Sequence, residues 1–194
     1  GLGDVYKRQA LTDHGVMFGA IEFYKAAKDA GIKPIIGCET YVAPRSRFDR
    51  EQLDGVSGYH IVLLAKDKTG YSNLCRLVSK ASLEGFYYNP RIDKEILKEH
   101  SEGLIGLSAC LKGEVQYKLA RGNYKGAKEA ALEYKSIFAP GDFYLELMDH
   151  GIPEEKQVHR QIKKLAEETG LKLVATSDAH YLKKEDYLAH DVLL

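Results

Sequence analysis

The sequence has 194 residues, and its 28 Lys and Arg residues balance its 28 Asp and Glu residues, so its formal net charge is zero. Hydrophobic residues make up 44% and charged residues 29%, which excludes a disordered chain and a domain that grips nucleic acid through a basic surface alone. The sequence contains no apolar run of about 18 residues and no signal peptide, and its three cysteines lack CxxC spacing, which argues against membrane and secreted classes and favours a reducing cytoplasm.

Helical and strand-like segments alternate along the chain. Spacing of apolar residues predicts a first helix that ends at Gly31, and β-branched apolar runs predict the strands. In chain order the further predictions are a strand at 33–43, a surface loop at 44–58, a strand at 59–66, helices at about 69–83 and 93–100, a strand at 103–109, helices at about 113–121 and 124–138, a strand at 142–149, a helix at about 154–169, a strand at 172–176 and a helix from near Lys183.

This alternation predicts an α/β fold with a parallel sheet covered by helices. The number of strands fits either an open doubly wound sheet or most of a barrel. In both architectures functional side chains gather beyond the C-terminal ends of the strands. Strand ends are therefore the places in this sequence to search for a site.

Four predicted strand ends carry a carboxylate, an imidazole or a thiol. The four segments are LTDHG after a short apolar stub, IIGCE late in the second strand, LSAC after the strand at 103–109 and VATSDAH after the strand at 172–176. In this order they contain the candidate residues Asp13 and His14, Glu39, Cys110, and Asp178 and His180. His, Asp, Glu and Cys are the ligand types of zinc and related divalent metals. A carboxylate such as Glu39 can also bridge two ions, the arrangement that activates water against phosphate esters.

Simpler interpretations stay open for each motif taken alone. Asp13 with His14 also fits a helix cap beside a structural histidine, and Cys110 also fits a small buried hydrophobe. His60 lies at the start of a strand, where a parallel layout places it at the wrong rim. It fits the site if its strand is antiparallel to its neighbours, or if the chain enters that strand from the edge of the sheet where the site lies.

At these residues the sequence resembles the polymerase and histidinol phosphatase (PHP) domain, and more narrowly the version at the N-terminus of bacterial replicative DNA polymerase III alpha subunits. The resemblance covers residues 10–194. It is carried by the segments ALTDHGVMFGAIEFYKAAKDAGIKPIIGCETYVAPRSR, YHIVLLAKDKTGYSNLCRLVSKASLEGFYYNPRIDKEIL, SEGLIGLSACLKGEV, PGDFYLELMDHG and VATSDAHYLKKED. The stretches GYSNLCRLVSKA and PRID belong to the polymerase branch and are not needed for a metal site.

The resemblance implies a distorted seven-stranded β/α barrel with up to three divalent metal ions, zinc or manganese, at one mouth. Nine side chains bind the metals in this family. Six of them correspond here to His14, Glu39, His60, Cys110, Asp178 and His180. Glu39 and Asp178 would also act in catalysis, whereas Asp13 would support a ligand or cap the helix without touching metal.

The sequence departs from the family at both ends. The family begins with a strand that carries a His-x-His motif, followed by an Asp, whereas GLGDVYKRQ at residues 1–9 contains no His. We therefore expect residues 1–9 to be a leader that does not belong to the family and that arose as an artefact. Residues 10–194 would then be a partial PHP domain. Its first strand and its C-terminal end would be missing, and the polymerase active site would lie outside the chain.

The resemblance implies a fragment of a DNA polymerase III alpha subunit, a cytoplasmic DNA-directed DNA polymerase that uses magnesium. The fragment would carry a metal-dependent phosphoesterase or proofreading exonuclease site. Expected partners are primer–template DNA bound by the parent protein, a proofreading exonuclease subunit and other replicase subunits, and no membrane. Two alternatives stay open: a non-catalytic scaffold that binds a proofreading subunit, and a stand-alone phosphatase such as histidinol phosphatase.

Overall fold

The computed structural model describes residues 8–193 as an α/β fold in which a curled seven-stranded sheet forms a half-barrel against helices. The strands are β1 (Arg8–Leu11), β2 (Lys33–Val42), β3 (Tyr59–Ala65), β4 (Arg91–Ile92), β5 (Leu104–Leu107), β6 (Phe143–Leu147) and β7 (Lys172–Ala175). The helices are α1 (Ala20–Asp29), α2 (Lys68–Leu83), α3 (Lys94–Glu99), α4 (Glu114–Ala120), α5 (Tyr124–Ile137), α6 (Pro153–Thr169) and α7 (Tyr187–Leu193), with a 3₁₀ turn at Lys184–Asp186. Within residues 8–193 no helix is long and apolar enough to span a bilayer.

The strand order is β1-β2-β3-β5-β6-β7, and β4 pairs with the end of β2. Strand β2 is parallel to β1 and β4, and β5, β6 and β7 are parallel to one another. Strand β3, however, is antiparallel to both β2 and β5. The predicted all-parallel sheet is therefore wrong at β3. The physical reason is that an antiparallel neighbour needs no helical crossover, and the irregular segment 43–58 is enough to connect β2 to β3.

A short strand lies where the sequence predicted that the first strand is absent. Arg8–Leu11 pairs in parallel with β2, from Arg8 opposite Lys33 to Leu11 opposite Ile36. Main-chain N–H and C=O groups make this pairing, so a strand can form here without the His-x-His motif of the family's first strand. The expectation of a missing first strand is thus wrong for residues 8–11. Residues 1–7 of the predicted leader lie outside the described residues, and the division of the chain at residue 10 stays a prediction.

The main core lies between the sheet and helices α2–α6. Side chains capable of N-capping begin three of the helices: Asp67 accepts a hydrogen bond from Gly70 N–H, Asp93 caps α3 and Asn123 caps α5. Each helix then buries one apolar face, as Leu74 and Leu77 do in α2. Burying each such leucine contributes about 1.5–3 kcal/mol, and this packing holds the helices against the sheet.

A fully buried arginine in β4 organises the irregular segment beside the site. Arg91 is 0% exposed and donates to the carbonyl oxygens of Gly85 at 3.0 Å, Ser57 at 2.9 Å, Arg47 at 3.3 Å and Asp49. Burial, followed by repulsion from Arg50, lowers the Arg91 pKa below its usual value. The guanidinium thus ties segment 43–58 to the turn before β4 through main-chain acceptors.

We expect Arg91→Ala to reduce the free energy of unfolding by at least about 3 kcal/mol, because it leaves several buried carbonyl groups without a donor. Arg91→Lys should lose less but remain impaired, since one ammonium cannot reach acceptors that lie on different sides of a planar guanidinium. Urea denaturation measures both values. Arg121→Lys, at an exposed arginine, is the control and should change stability by no more than about 0.5 kcal/mol. Equal stability of Arg91→Ala and the wild type would refute this role.

Candidate metal centre

The direction of β3 brings the start of this strand to the rim where the other strands end. Because β3 is antiparallel to β2 and β5, its N-terminal end meets the C-terminal ends of those strands. His60 is the second residue of β3 and is 9% exposed. The antiparallel direction therefore places His60 at the predicted rim, which the sequence pattern alone left open.

Glu39 lies at the centre of the site, between two histidines. Its carboxylate is 4% exposed, one oxygen is hydrogen-bonded to His60 Nδ1, and the other lies 3.7 Å from His14 Nδ1. One potential ligand atom from each of these three residues lies within 4.8 Å of the other two. Within residues 8–193, this is the group whose spacing fits a single metal ion.

The backbone after β1 holds His14 beside Glu39. Glu39 N–H donates to the Asp13 carbonyl at 3.0 Å, and Gly15 N–H donates to the Glu39 carbonyl at 2.9 Å. Gly15 has a φ of +69°, and a Cβ there would lie 2.8 Å from a Pro90 side-chain carbon. Only glycine fits this turn, because a side chain would be both strained and obstructed.

The remaining candidate ligands extend the cluster on two sides. Cys110 Sγ lies 3.9 Å from His60 Nδ1, and His180 Nε2 lies 3.1 Å from His14 Nε2. His180 Nδ1 is 2.7 Å from the Asp178 carbonyl oxygen and 4.0 Å from its carboxylate. Two imidazole nitrogens at 3.1 Å need a proton or a cation between them, since their lone pairs otherwise repel. The residues present therefore fit a divalent metal.

Asp13 joins this region mainly through its main chain. Its carbonyl accepts from Glu39 N–H, and also from Cys38 Sγ at 3.3 Å. Its carboxylate lies toward the start of α1, where one oxygen is 3.1 Å from the position that a Cβ on Gly19 would occupy. Gly19 is the N-cap of α1 and receives no side-chain capping hydrogen bond. Asp13 therefore supports the site through the backbone that positions His14.

Electrostatics separate the two buried ligand types. Burial by itself would raise the Glu39 pKa, but the hydrogen bond from His60 and the nearby His60, His14 and His180 together lower it. Burial raises the pKa of the Cys110 thiol to about 11, and the carboxylates of Glu39 and Asp178 add to this effect. Glu39 is thus an anion ready to bind a cation, whereas Cys110 must lose a proton before it can bind a metal.

The sequence search missed one buried carboxyl group at this rim. Glu146, near the end of β6, is 4% exposed and accepts hydrogen bonds from Ala109 N–H and from the Thr176 hydroxyl, the latter at 2.8 Å. Burial raises its pKa to about 7, and the charges of Glu39 and Asp178 also raise it. The sequence predicted the strand DFYLELMD, but the strand-end candidates did not include Glu146, because it lies inside that strand, between Leu145 and Leu147.

A second pair lies behind the loop that carries Asp178. His150 Nδ1 is 2.7 Å from Glu155 Oε1, and His150 Nε2 is 2.8 Å from the Ser177 carbonyl oxygen. The hydrogen bond to Glu155, followed by that to Ser177, raises the His150 pKa. His150, which the sequence analysis did not include among the ligands, therefore contacts the main chain next to Asp178.

Comparison with protein-family models matches residues 5–150 to the PHP domain. The chain belongs to the PHP domain family. DNA polymerase III subunit alpha of Thermus aquaticus is 53% identical over 188 residues, which are 95% of this chain and 15% of that protein. The Treponema pallidum protein of the same name is 51% identical over 186 residues, 95% of this chain and 16% of the relative. This PHP domain thus spans about a sixth of the length of these relatives.

Among solved structures, a proposed metal-dependent phosphoesterase from Bifidobacterium adolescentis is similar to this PHP domain. The match covers 95% of this chain and 84% of that one, at 11% sequence identity and a TM-score of 0.41.

The raised pKa of Glu146 predicts how stability of the metal-free PHP domain depends on pH. Its folded-state pKa of about 7 exceeds the ordinary value of 4.5, so the folded state binds more protons than the unfolded state between these pH values. Stability should therefore fall as pH rises from 4.5 to 7, by on the order of 3 kcal/mol from this residue.

Urea denaturation in the presence of a chelator, compared with Glu146→Gln, isolates this contribution. The difference in unfolding free energy between the two proteins should change across that pH range. Glu129→Gln, at a glutamate that is 67% exposed, should follow the wild-type curve. A constant difference between wild type and Glu146→Gln at all pH values would contradict the prediction.

Proposed function

We propose that this PHP domain is part of a bacterial DNA polymerase III alpha subunit and that its rim site is a divalent-metal phosphoesterase acting on DNA. The observation that carries the proposal is the convergence of six ligand-type side chains on one rim of the sheet, centred on Glu39. The names of relatives that are about half identical over nearly the whole chain support the parent protein.

Six side chains would hold the metal: His14, Glu39, His60, Cys110, Asp178 and His180. Their mixture of nitrogen, sulfur and oxygen donors suits zinc or manganese. The two Glu39 oxygens face different histidines, which suits a carboxylate that bridges two ions. A divalent ion held here would lower the pKa of water and neutralise charge on a phosphate.

The side chains of the domain then have separate tasks. His60 and His14 keep Glu39 ionised by lowering its pKa. The Asp178 carboxylate is 23% exposed and lies 4.0 Å from His180 Nδ1, and it would bind metal or orient the attacking water. The substrate would be the 3′ end of a DNA strand, in a proofreading exonuclease reaction.

The parent protein would supply the remaining interactions. It would bind primer–template DNA, use magnesium at a separate polymerase site, and contact a proofreading exonuclease subunit and other replicase subunits in the bacterial cytoplasm. The balanced charge of this domain supports that division of labour, because DNA affinity has to come from elsewhere.

A non-catalytic scaffold is the second candidate. The Glu39–His60 and His14–His180 contacts close the cluster by hydrogen bonds without an ion. Such a self-satisfied polar cluster could stabilise the barrel and shape a surface for a proofreading subunit without doing chemistry.

Metal content by elemental analysis tests whether the rim binds a metal, which the phosphoesterase requires and the scaffold does not. We expect the wild-type protein to retain zinc or manganese and Asp178→Ala, His180→Ala to lower the affinity at least about tenfold. His100→Ala, which changes a histidine outside the cluster, should retain wild-type content. Absence of metal in the wild type would reject the metal site and leave the scaffold.

Release of nucleotides from a single-stranded 3′ end separates the two candidates. We expect release that stops with a chelator and is lost in Asp178→Ala, His180→Ala but not in His100→Ala. A matched protein in which residues 1–9 are replaced by a His-x-His strand should be more active, because it has additional ligands. Full metal occupancy without nucleotide release in either protein would support the scaffold.

A further inference from the structure

Glu146 contacts two separate segments of the rim that are not bonded to each other. One carboxylate oxygen accepts the N–H of Ala109, which follows β5, and the other accepts the hydroxyl of Thr176, which follows β7, at 2.8 Å. Glu146 itself lies on β6, between these strands. One buried side chain thus connects the ends of three adjacent strands.

The first segment is held in an uncommon conformation directly before a candidate ligand. Ala109 has a φ of +60°, a region that residues other than glycine rarely adopt, and Cys110 follows it. Glu146 binds the N–H of Ala109, and Gln116 Nε2 donates to its carbonyl at 2.8 Å. Such a conformation persists where surrounding contacts enforce it, and these two hydrogen bonds do so.

The second segment has the same design. Thr176 N–H donates to the Leu147 carbonyl at 3.1 Å, and its hydroxyl binds Glu146. Two residues later Asp178 has a φ of +44°, so the chain turns sharply at a second candidate ligand. The Thr176 hydroxyl therefore ties the chain to Glu146 two residues before this turn.

We propose that Glu146 is a positioning residue that sets the Cys110 and Asp178 segments at the spacing a metal requires. This inference rests on the proposed function, because it assigns these segments to a metal site. It differs from a ligand role, since each Glu146 oxygen already accepts a hydrogen bond, one from the Ala109 N–H after β5 and one from the Thr176 hydroxyl after β7. Groups that orient metal ligands in this way commonly affect metal affinity by 10–100-fold.

Titration of the protein with Co²⁺ tests the proposal, because the Cys110 thiolate gives a ligand-to-metal absorption band. Glu146→Ala should weaken Co²⁺ affinity about 10–100-fold and diminish this band. Glu146→Gln should stay within about threefold of wild type, since an amide can accept from Ala109 N–H and donate to the Thr176 hydroxyl. Rescue by glutamine separates positioning from ligation, because a ligand carboxylate would not be replaced by an amide.

Thr176 provides a matched pair that does not depend on Glu146 variants folding. Thr176→Val removes the hydroxyl at nearly constant volume and should weaken Co²⁺ binding about tenfold, whereas Thr176→Ser should retain wild-type affinity. Metal-free thermal melts measure the purely structural effect. A lower melting temperature with unchanged Co²⁺ affinity and spectrum in Glu146→Ala or Thr176→Val would overturn the proposal, as would a Glu146→Gln variant as weak as Glu146→Ala.

Amide hydrogen exchange on the metal-free protein distinguishes this inference from the proposed function. Protection of the Ala109 amide should fall in Glu146→Ala and persist in Glu146→Gln. If wild-type protein binds no Co²⁺, the metal-site function fails, and the exchange comparison still decides whether Glu146 holds the two segments. Unchanged protection in Glu146→Ala would overturn the positioning role whatever the metal result.

Discussion

The hydrogen bond between Glu39 and His60 is the contact on which the rim depends. A carboxylate that is 4% exposed is costly to keep ionised unless donors and positive charge surround it. His60 provides this partner across the β2–β3 pair, and His14 adds a second one 3.7 Å away. The side chains suited to binding a cation are thus also those that allow Glu39 to be buried as an anion, so the stability of the rim and the proposed metal site depend on the same residues.

A second buried carboxyl group at the same rim has the opposite electrostatic character. Histidines lower the Glu39 pKa, whereas burial and neighbouring carboxylates raise the Glu146 pKa to about 7. The difference arises from their partners, because an imidazole can carry positive charge while a main-chain amide and a hydroxyl cannot. One carboxyl group is therefore suited to hold a cation, and the other to organise the backbone around it.

The surroundings of His14 depend in part on a buried cationic side chain, Arg91. Arg91 ties segment 43–58 to the turn at Gly85 through main-chain carbonyls. Pro90, the residue before it, lies against Gly15 beside His14. The hydrogen bonds of Arg91 are thereby connected to the rim through the contact between Pro90 and Gly15. This contact links the packing of segment 43–58 to the position of His14.

The sequence by itself determined the helices, most strands and the residue types at the rim. Periodicity predicted elements such as α5 and β6 to within a residue or two, because a buried face imposes its spacing on the sequence. The strand-end rule led to Glu39 and Cys110, whose segments lie at the same rim, since the C-terminal ends of parallel strands meet there. The resemblance added His60, and the family was confirmed.

Only the tertiary structure decided the direction of β3, the existence of β1 and β4, and the contacts of Glu146. Strand direction depends on which main-chain groups pair across the sheet, and these groups are the same for every residue. Strand β4 has only two residues, and β1 has the sequence RQAL, so neither contains the apolar run that predicted the other strands. Glu146 connects Ala109 and Thr176, which are 37 residues before it and 30 residues after it, and no local pattern encodes contacts at such separations.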